Sequence, residues 1–375
     1  MNKIRPGKWN PALTTALNHL IETEAGSEGT YAVFDFDNTS CFGDVEDNLF
    51  LYLLETWQYK MQPDEFARLF DECLAYWSDN PEILAGLGPI SIPGLVQDLI
   101  EAYPVVTEFV ESTGRAHLEQ FQPYKDFRAK AWYFYRNICD FYQTQAGKVW
   151  PTYWFSGYQE GEFFALVVEA MGAMQQKKPQ KVIWEADALG QSGVFAVEVK
   201  YGLAFPDELL DLYHVFKRHG IRPYIVSASP HPLIEAVSQA MGYAVDNDCV
   251  YGVQILQDDL GCLTPWVKEG WPVSVRDGKV QVIDNYIRPR ESGRPPLAVF
   301  GDSMGDYQMM EAYLDQALVV LFNRVKADGT RRWIELANDD NLSVYIQGRD
   351  ENNTCLRPAA DSILLGEKEA QLIRD

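Results

Sequence analysis

The sequence predicts an α/β fold: a doubly wound, mainly parallel sheet with an inserted, mostly helical cap domain. Short apolar strand patterns alternate with amphipathic helix patterns, as in sheets whose crossovers are helices. One long stretch, residues 64–175, is instead mostly helical and aromatic, and prolines punctuate it. We therefore assign residues 1–45 and 200–375 to the α/β core and residues 46–199 to the cap.

The chain opens with a helix and then a buried strand. Apolar residues recur at helical spacing within residues 9–24, which predicts an amphipathic helix across the sheet edge. These residues are Leu13, Leu17, Leu20 and Ile21. The apolar run at residues 31–36 predicts a strand that ends in a turn. A second helix is predicted over residues 48–58.

The cap pattern predicts several helices and two strands. The helices are predicted at residues 66–77, 92–103, 129–143 and 160–174, and the strands at residues 181–184 and 194–201. The segment contains no internal repeat and no low-complexity tract. It therefore resembles an insertion into the core rather than a free-standing module.

The second half of the core alternates helices with buried strands. Helices are predicted at residues 207–219, 231–241 and 307–313, and strands at residues 223–226, 249–255, 297–300 and 317–322. From Ala337 onward the chain is polar, and we predict a loop-like tail with no assigned role.

The composition narrows the class of partner. A formal net charge of -22 and a pI near 4.6 disfavour nucleic acid and anionic membrane surfaces, and suit metal ions. Solubility alone explains the charge equally well. No run is apolar and long enough to cross a bilayer, and residues 1–25 lack the apolar centre of a signal peptide. We expect a cytoplasmic protein as written, and an extracytoplasmic one if a leader was removed.

Cysteine and histidine spacing does not indicate a structural zinc site. The six cysteines include no Cys-x-x-Cys pair, and the five histidines include no His-x-x-x-His pair with a neighbouring acid. Cys249 and Cys262 could form a disulfide in an oxidising compartment, but the sequence leaves that pairing open. It also leaves the oligomeric state open.

Chemically active residues follow the core strands. Asp35 and Asp37 end the first strand, where alternation of side chains starts them on one side of the backbone. Ser227 ends a later strand, and Asp302 and Asp306 follow another. The carboxyl edge of an open α/β sheet is its ligand-binding edge. Each residue alone has an ordinary alternative, such as a solvated acid or a turn serine.

Together these residues predict a phosphoryl site. Asp35 and Asp302 can hold a hard cation such as Mg²⁺. Lys279, at the start of a predicted helix, and Ser227 can hold phosphoryl oxygens, although a lone lysine is most often solvated. Asp37 remains available for proton transfer.

In this arrangement the sequence resembles the haloacid dehalogenase-like phosphatases. Their four ordered motifs correspond to Asp35-x-Asp37-x-Thr39, Ser227, Lys279 and Gly301-Asp302-x-x-x-Asp306. The resemblance covers residues 31–41 and 202–324. It is closest to the phosphorylcholine phosphatase and phosphoserine phosphatase branch, which carries a helical cap after the first motif. Ala228-Ser229 stands where phosphoserine enzymes usually have Gly-Gly, and this difference counts against phosphoserine.

The resemblance implies a role for each motif residue. Asp35 would attack phosphorus and form an aspartyl-phosphate, and Asp37 would protonate the leaving alcohol and then activate water. Mg²⁺ would bind the carboxylates of Asp35 and Asp302 and the backbone carbonyl of Asp37. Ser227 and Lys279 would grip the phosphoryl group. The residues expected to support the site are Asp306, which orients Lys279 or a metal-bound water, Ser303 and Thr39.

The cap is expected to choose a small phosphomonoester. Glu46 and Asp47 follow the first motif and could face a cationic head group, and Trp154 and Tyr158 are the aromatic candidates beside them. Aromatic faces with a carboxylate suit phosphocholine or phosphoethanolamine. The alternative for the rings is core packing. Other small-metabolite or phosphoserine hydrolysis, phosphoryl transfer to an alcohol and, least favoured, a non-catalytic binding module remain open.

Overall fold

The computed structural model of the chain describes residues 4–5, 7–71, 90–141, 154–187, 190–339 and 341–374. The strands are β1 (Tyr31–Phe34), β2 (Gln180–Ala186), β3 (Phe195–Tyr201), β4 (Arg222–Pro230), β5 (Val250–Val253), β6 (Ile255–Gln257), β7 (Leu263–Val267), β8 (Ala298–Gly301), β9 (Leu318–Phe322), β10 (Val344–Gln347), β11 (Arg349–Asp350) and β12 (Cys355–Leu356).

The helices flank these strands. They are α1 (Pro11–Glu24), α2 (Val45–Thr56), α3 (Pro63–Arg68), α4 (Ile92–Thr113), α5 (Gln122–Phe141), α6 (Glu160–Gln175), α7 (Asp207–Arg218), α8 (His231–Ala240), α9 (Asp277–Val282), α10 (Tyr307–Ala312) and α11 (Arg331–Leu336). Short 3₁₀ turns lie at Arg115–Gln120, Asn247–Cys249 and Arg288–Glu291, and a π-helical turn lies at Ile283–Ile287.

A six-stranded sheet in the order β10-β9-β8-β1-β4-β5 forms the core, and its paired strands are parallel. Alternate residues of β1 enter opposite apolar layers. Ala32 and Phe34 pack in the layer that includes α1, α7 and α8, whereas Tyr31 and Val33 pack in the layer that includes α9, α10 and α11. Helices therefore cover both faces, and the predicted doubly wound fold is confirmed.

The inserted segment packs onto the core through a shared apolar cluster. Helix α8 of the core and helix α2, which begins at the predicted boundary, both contact α6, and α5 packs on the β2–β3 hairpin. Buried residues of α4, α5 and α6 belong to the same cluster as α1 and α7. This continuity fits an insertion rather than a free module, and the boundaries at residues 45/46 and 199/200 remain a prediction.

A buried ion triad joins two cap helices to the loop before β3. Lys130 of α5 lies 2.9 Å from Asp98 of α4 and 2.6 Å from Asp126, one turn earlier on α5. Asp98 also accepts hydrogen bonds from the backbone N–H of Gln191 and from the hydroxyl of Ser192. These contacts hold α4, α5 and the loop at residues 190–193 together.

The predicted loop-like tail was wrong for residues 344–347, which form the edge strand β10 beside β9. Four residues are too few for a clear alternation pattern, and the Asp- and Asn-rich sequence before them suggests a loop. The β6–β7 hairpin was also missed, because residues 249–255 were predicted as one strand and residues 263–267 as none. The chain instead breaks between β5 and β6.

Most remaining elements lie within a few residues of their predicted positions. Residues 72–77 and 142–143 of two predicted helices fall outside the described residues. Cys249 and Cys262 are both free thiols in this structure. Within the described residues, no helix combines the length and the apolarity needed to span a membrane.

Candidate active site

The carboxyl edge of the sheet opens into a cavity of about 460 Å³. Asp35 follows β1, Asp302 follows β8, and Lys279 lies in the first turn of α9. The cavity is lined from the core by Asp35, Asp37, Asn38, Asp44, Ser229, Lys279, Asp302, Ser303, Asp306, Arg324 and Lys326, and from α2 and α5 by Glu46, Asp47, Tyr135 and Arg136. The sheet topology thus brings together residues that are far apart in the sequence.

Lys279 is the buried link between two of the acids. Its Nζ atom lies 2.5 Å from Oδ1 of Asp35 and 2.7 Å from Oδ1 of Asp306, and only 1% of the residue is exposed. Thr39 donates a hydrogen bond of 3.0 Å to the other oxygen of Asp35. Both oxygens of Asp35 are therefore held in place, as a positioned nucleophile requires.

Asp306 serves as an anchor for the loop after β8. Its Oδ2 atom accepts hydrogen bonds of 3.1 Å from the backbone N–H groups of Asp302 and Ser303 and from the Ser303 hydroxyl. Gly301 is required here, since a Cβ atom at this position would lie 2.5 Å from Cβ of Asp306. Asp306 thus joins this loop to Lys279, and its role in orienting Lys279 stays a prediction.

Asp37 is held from two sides at the wall of the cavity. Its Oδ1 atom accepts a hydrogen bond of 2.7 Å from the backbone N–H of Val45, and its Oδ2 atom accepts one of 2.7 Å from the Ser229 hydroxyl. Burial and the Asp35 carboxylate raise the pKa of Asp37 to about 7, against the lowering effect of those two hydrogen bonds. A carboxyl group with such a pKa can both donate and accept a proton near neutral pH.

The loop between β1 and α2 owes its shape to a few local contacts. Asn38 adopts a positive φ of 60°, which asparagine tolerates better than most residues, and its N–H donates to the carbonyl of Gly43 at 2.9 Å. Asp44 caps α2 by accepting from the N–H groups of Glu46 and Asp47. This cap aims the first turn of α2 at the cavity.

The donor set fits a hard divalent cation. Oxygens of the buried Asp35, Asp302 and Asp306 carboxylates lie within 4.8 Å of one another. Burial, and secondly the charge of the nearby Asp306, raise the pKa of Asp35, so a bound cation would stabilise its ionised form. Asp306 is the most heavily committed of the three, since its Oδ2 atom accepts three hydrogen bonds and its Oδ1 atom contacts Lys279, so Asp35 and Asp302 are the residues that would hold Mg²⁺.

Asp302 has a cationic partner that the sequence did not predict. Nη1 of Arg324, which follows β9, lies 2.8 Å from Oδ2 of Asp302. Burial alone would raise the pKa of Asp302, but the charges of Arg324, Lys326 and Arg349 together outweigh it and the pKa is lowered. Asp302 is thus kept ionised and ready to bind a cation.

The cavity is lined by Ser229 and not by the predicted site residue Ser227. Ser227 is fully buried; its hydroxyl lies 3.4 Å from Asp37 and accepts from the N–H of Ser229. Ser229, which was not predicted as a site residue, lines the cavity and makes the shorter bond to Asp37. Alternation along β4 makes Ser229 the natural partner of Ser227 on the same face.

The two predicted acidic cap residues reach the cavity, and the two predicted aromatic residues do not. Glu46 and Asp47 line it, and Asp47 accepts a 2.6 Å hydrogen bond from Tyr135 and an ion pair of 3.1 Å from Arg136. By contrast, Trp154 and Tyr158 lie elsewhere in the cap.

Core packing accounts for the positions of both rings. Trp154 is fully buried, with its ring centroid 4.5 Å from that of Phe50 and 5.5 Å from that of Phe66. The Tyr158 hydroxyl donates to the carbonyl of Gln58. At the cavity the aromatic ring is Tyr135, which the sequence offered only as one of many cap aromatics.

Comparisons with known proteins agree with this fold. The haloacid dehalogenase-like hydrolase family model matches residues 127–311. The matched segment contains Ser227, Lys279, Asp302 and Asp306, and over it the chain is similar to those hydrolases. Asp35 and Asp37 precede the match. No curated protein matches the sequence.

Among solved structures, a conserved protein of unknown function from Anaerococcus prevotii has the same fold over the full length. It is 23% identical, with a TM-score of 0.84, and the alignment covers 99% of this chain and 100% of that one. A phosphoserine phosphohydrolase-like protein from Francisella tularensis is 10% identical with a TM-score of 0.33, covering 78% of this chain and 87% of that one.

Proposed function

We propose that the protein is a magnesium-dependent phosphomonoester hydrolase that works through an aspartyl-phosphate intermediate on Asp35. The observation that carries the proposal is the position of Asp35. Its carboxylate is held 2.5 Å from the ammonium of Lys279, beside Asp37 and opposite Asp302 at the carboxyl edge of the sheet. A nucleophile, a proton carrier, a cation and a metal ligand thus surround one cavity.

In the first step, a carboxylate oxygen of Asp35 forms a bond to phosphorus and the bond from phosphorus to the ester oxygen breaks. Asp37, in its protonated form, donates the proton that the leaving alcohol needs. Lys279 offsets the charge of the transferred phosphoryl group, and Asp306 keeps Lys279 in position.

In the second step, Asp37, now ionised, takes a proton from water, which attacks the aspartyl-phosphate and releases inorganic phosphate. Ser229 and the N–H of Val45 hold the Asp37 carboxylate toward the cavity throughout. Mg²⁺, bound by the carboxylates of Asp35 and Asp302 and the backbone carbonyl of Asp37, would supply Lewis-acid stabilisation of the phosphoryl charge.

We propose a small amino-alcohol phosphate, such as phosphocholine or phosphoethanolamine, as the first candidate substrate. The supporting observation is the acidic first turn of α2. The Glu46 carboxylate is close enough to Asp37 to raise its pKa, and Asp37 is the group that would meet the leaving alcohol. A cationic group on that alcohol would face Glu46, with the Tyr135 ring beside it at the cavity wall.

A second candidate is a phosphomonoester that also carries an anionic group, such as phosphoserine. The observation that favours it is the set of cations at the same wall. Arg136 already pairs with Asp47, and Arg324 and Lys326 line the cavity from the core side. A purely cationic leaving group would have to lie among these charges, which opposes it electrostatically.

The deciding experiment is release of inorganic phosphate with Mg²⁺ from a panel of phosphocholine, phosphoethanolamine, phosphoserine, a sugar phosphate and p-nitrophenyl phosphate. Asp35→Asn is expected to abolish release from all of them while the fold survives. Glu46→Gln is expected to lower kcat/KM selectively for the amine-bearing substrates. Phosphate release by folded Asp35→Asn would refute the mechanism, and product that requires an added alcohol would indicate a phosphotransferase.

A further inference from the structure

A group of cations lies beside the phosphoryl site, and apart from the pairing of Arg324 with Asp302 the two reaction steps above do not use them. Arg324 and Lys326, which follow β9, line the active-site cavity. Arg324 also lines a neighbouring cavity of about 390 Å³, where it is joined by Arg349 from the C-terminal segment. The two cavities share wall residues of the β1–α2 loop, including Asn38 and Asp44. In a chain with a formal net charge of -22, such a cluster is not a consequence of composition.

Arg349 carries a buried charge that the described residues do not neutralise directly. The residue is 2% exposed, and its Nη1 atom donates a 2.6 Å hydrogen bond to the carbonyl of Asn38. Its Nε atom has no hydrogen-bond partner, and the described part of the chain provides no carboxylate within ion-pair distance. A guanidinium has five N–H donors, and the hydrogen bond to Asn38 within the described residues uses one of them.

The acid that acts most on Arg349 is Glu351, whose charge offsets part of the lowering of the Arg349 pKa by burial. Glu351 lines the same cavity, but within the described residues it forms no ion pair with Arg349, and its carboxylate accepts a hydrogen bond of 3.1 Å from the backbone N–H of Leu365. The guanidinium of Arg349 instead lies over the Phe42 ring, with its Cζ atom 4.3 Å from the ring centroid. Burial of a guanidinium without a paired anion raises the free energy of the folded protein. An anion bound in the cavity would lower it by accepting hydrogen bonds from the remaining donors.

Lys326 adds a third cation to the cluster. It is half-buried, and within the described residues it forms no ion pair or hydrogen bond. Burial and the charge of Arg324 lower the pKa of Lys326, and the same two causes lower that of Arg349 to about 10. Arg324 thus lies near both other cations, and only Arg324 has a carboxylate partner, Asp302.

We propose that Arg324, Lys326 and Arg349 form a subsite for a second oxyanion, a carboxylate or phosphate group carried by the leaving portion of the substrate. The reacting phosphoryl group belongs at Asp35 and Lys279, whereas Arg349 lines the adjoining cavity. The inference thus favours the second candidate substrate above, a phosphomonoester that also carries an anionic group, over phosphocholine. This inference rests on the proposed function, because it assigns part of the same substrate.

The test uses two phosphonates that cannot be hydrolysed and that differ in one charged group. 3-Phosphonopropionate carries a carboxylate, and propylphosphonate carries a methyl group in its place. Binding of each is measured by calorimetry with Mg²⁺ to the wild type, Lys326→Met and Arg349→Met. Lys217→Met is the control, since Lys217 is a surface residue paired with Asp246 at 2.6 Å.

We expect the wild type to bind the carboxylate-bearing phosphonate about tenfold to 100-fold more tightly, as for hydrogen bonds to charged groups. The preference should fall to a few-fold or less in both cavity variants and persist in Lys217→Met. Equal affinities in the wild type, no binding of either compound, or an unchanged preference in folded Lys326→Met would overturn the subsite. Lys326→Met decides the matter if loss of Arg349 disturbs the Asn38 loop.

Hydrolysis of p-nitrophenyl phosphate by the wild type separates this inference from the proposed function. Hydrolysis without a phosphonate preference would remove the subsite and leave the chemistry. A phosphonate preference without hydrolysis would keep the subsite and remove the phosphatase.

Discussion

The hydroxyl of Ser229 lies 2.7 Å from Oδ2 of Asp37, closer than the hydroxyl of Ser227 at 3.4 Å. Both serines lie on one face of β4, and Ser229 is nearer the carboxyl end, where the cavity begins. Of the two serines, Ser229 therefore has the more direct effect on the pKa of Asp37, with Ser227 behind it in the buried layer.

Ser229→Ala is expected to shift the acidic limb of the pH–rate profile upward by about one pH unit. The hydroxyl stabilises the ionised carboxylate, so its loss raises the pKa of Asp37 above about 7. Hydrolysis of the intermediate needs ionised Asp37, and the variant should lose activity first at low pH. Steady-state kcat across pH measures the shift. Ser238→Ala is the control, since Ser238 bonds the Glu235 carbonyl. Superimposable profiles would contradict the assignment.

Removal of divalent metal is expected to abolish phosphate release, and added Mg²⁺ should restore it. Asp302→Asn should raise the Mg²⁺ concentration needed for half-maximal activity by more than the roughly 10–100-fold seen when second-shell partners are changed. The loss of charge weakens a ligand that Arg324 keeps ionised. A Mg²⁺ titration of activity gives both numbers, with Asp64→Asn, at an exposed ion pair, as the control. Full activity after chelation would refute the metal site.

Lys130→Met is expected to lower the free energy of unfolding by about 3–5 kcal/mol, because two buried carboxylates lose their cation. Arg68→Met breaks an exposed ion pair with Asp64 and should change the free energy of unfolding by less than about 1 kcal/mol. Urea unfolding of the two variants provides the comparison. Similar losses in both would show that burial does not set the strength of the triad.

The same triad predicts how stability depends on pH. Burial raises the pKa of Asp98, but hydrogen bonds from Ser192, Lys130 and the backbone outweigh it, so the folded pKa lies below the ordinary 3.8. A depressed pKa contributes stability above the unfolded value and loses it as pH falls through the folded one. Asp98→Asn should therefore flatten the fall in unfolding free energy below pH 3.8. An equally steep fall in that variant would be inconsistent with this contribution.

Gly278→Ala is expected to destabilise the protein and lower kcat together. A Cβ atom at residue 278 would lie 1.7 Å from the carbonyl oxygen of Val273, and the chain must shift next to Lys279. Gly172→Ala is the matched control: the added Cβ meets nothing within 4 Å in helix α6, and removal of a helical glycine should stabilise by about 0.5–1 kcal/mol. Thermal melting and kcat of both variants test this, and wild-type kcat in Gly278→Ala would count against it.

The fold and the acid pair were accessible from sequence because the signals are local. An apolar run that delivers Asp35 and Asp37 to a turn can be seen within nine residues, and alternating strands and helices dictate a parallel sheet. The parallel sheet then brings the ends of β1, β4 and β8 to one edge. Lys279 could be predicted as a site residue because it lies at the start of a helix predicted to meet this edge of the sheet.

Arg349 could not be found in this way. Its partner Asn38 lies 311 residues away, and the segment around Arg349 carries no pattern that ties it to the first motif. Trp154 illustrates a different limit, since an aromatic side chain in a helical cap suits a pocket and a core equally well in sequence. The packing of Trp154 against Phe50 and Phe66 in the structure identifies it as a core residue and not a pocket residue.

The sheet order has a consequence for synthesis of the chain. Ala32 of β1 pairs with Pro223 of β4 and with Ala298 of β8. These partners lie 191 and 266 residues later in the chain, so β1 is synthesised long before either neighbouring strand. At roughly 5–20 residues per second, a ribosome needs about 10–50 s to supply the later one. The apolar β1 therefore emerges early and stays unpaired longest. Fragments that end before β8 are therefore expected to leave one edge of β1 unpaired and to aggregate.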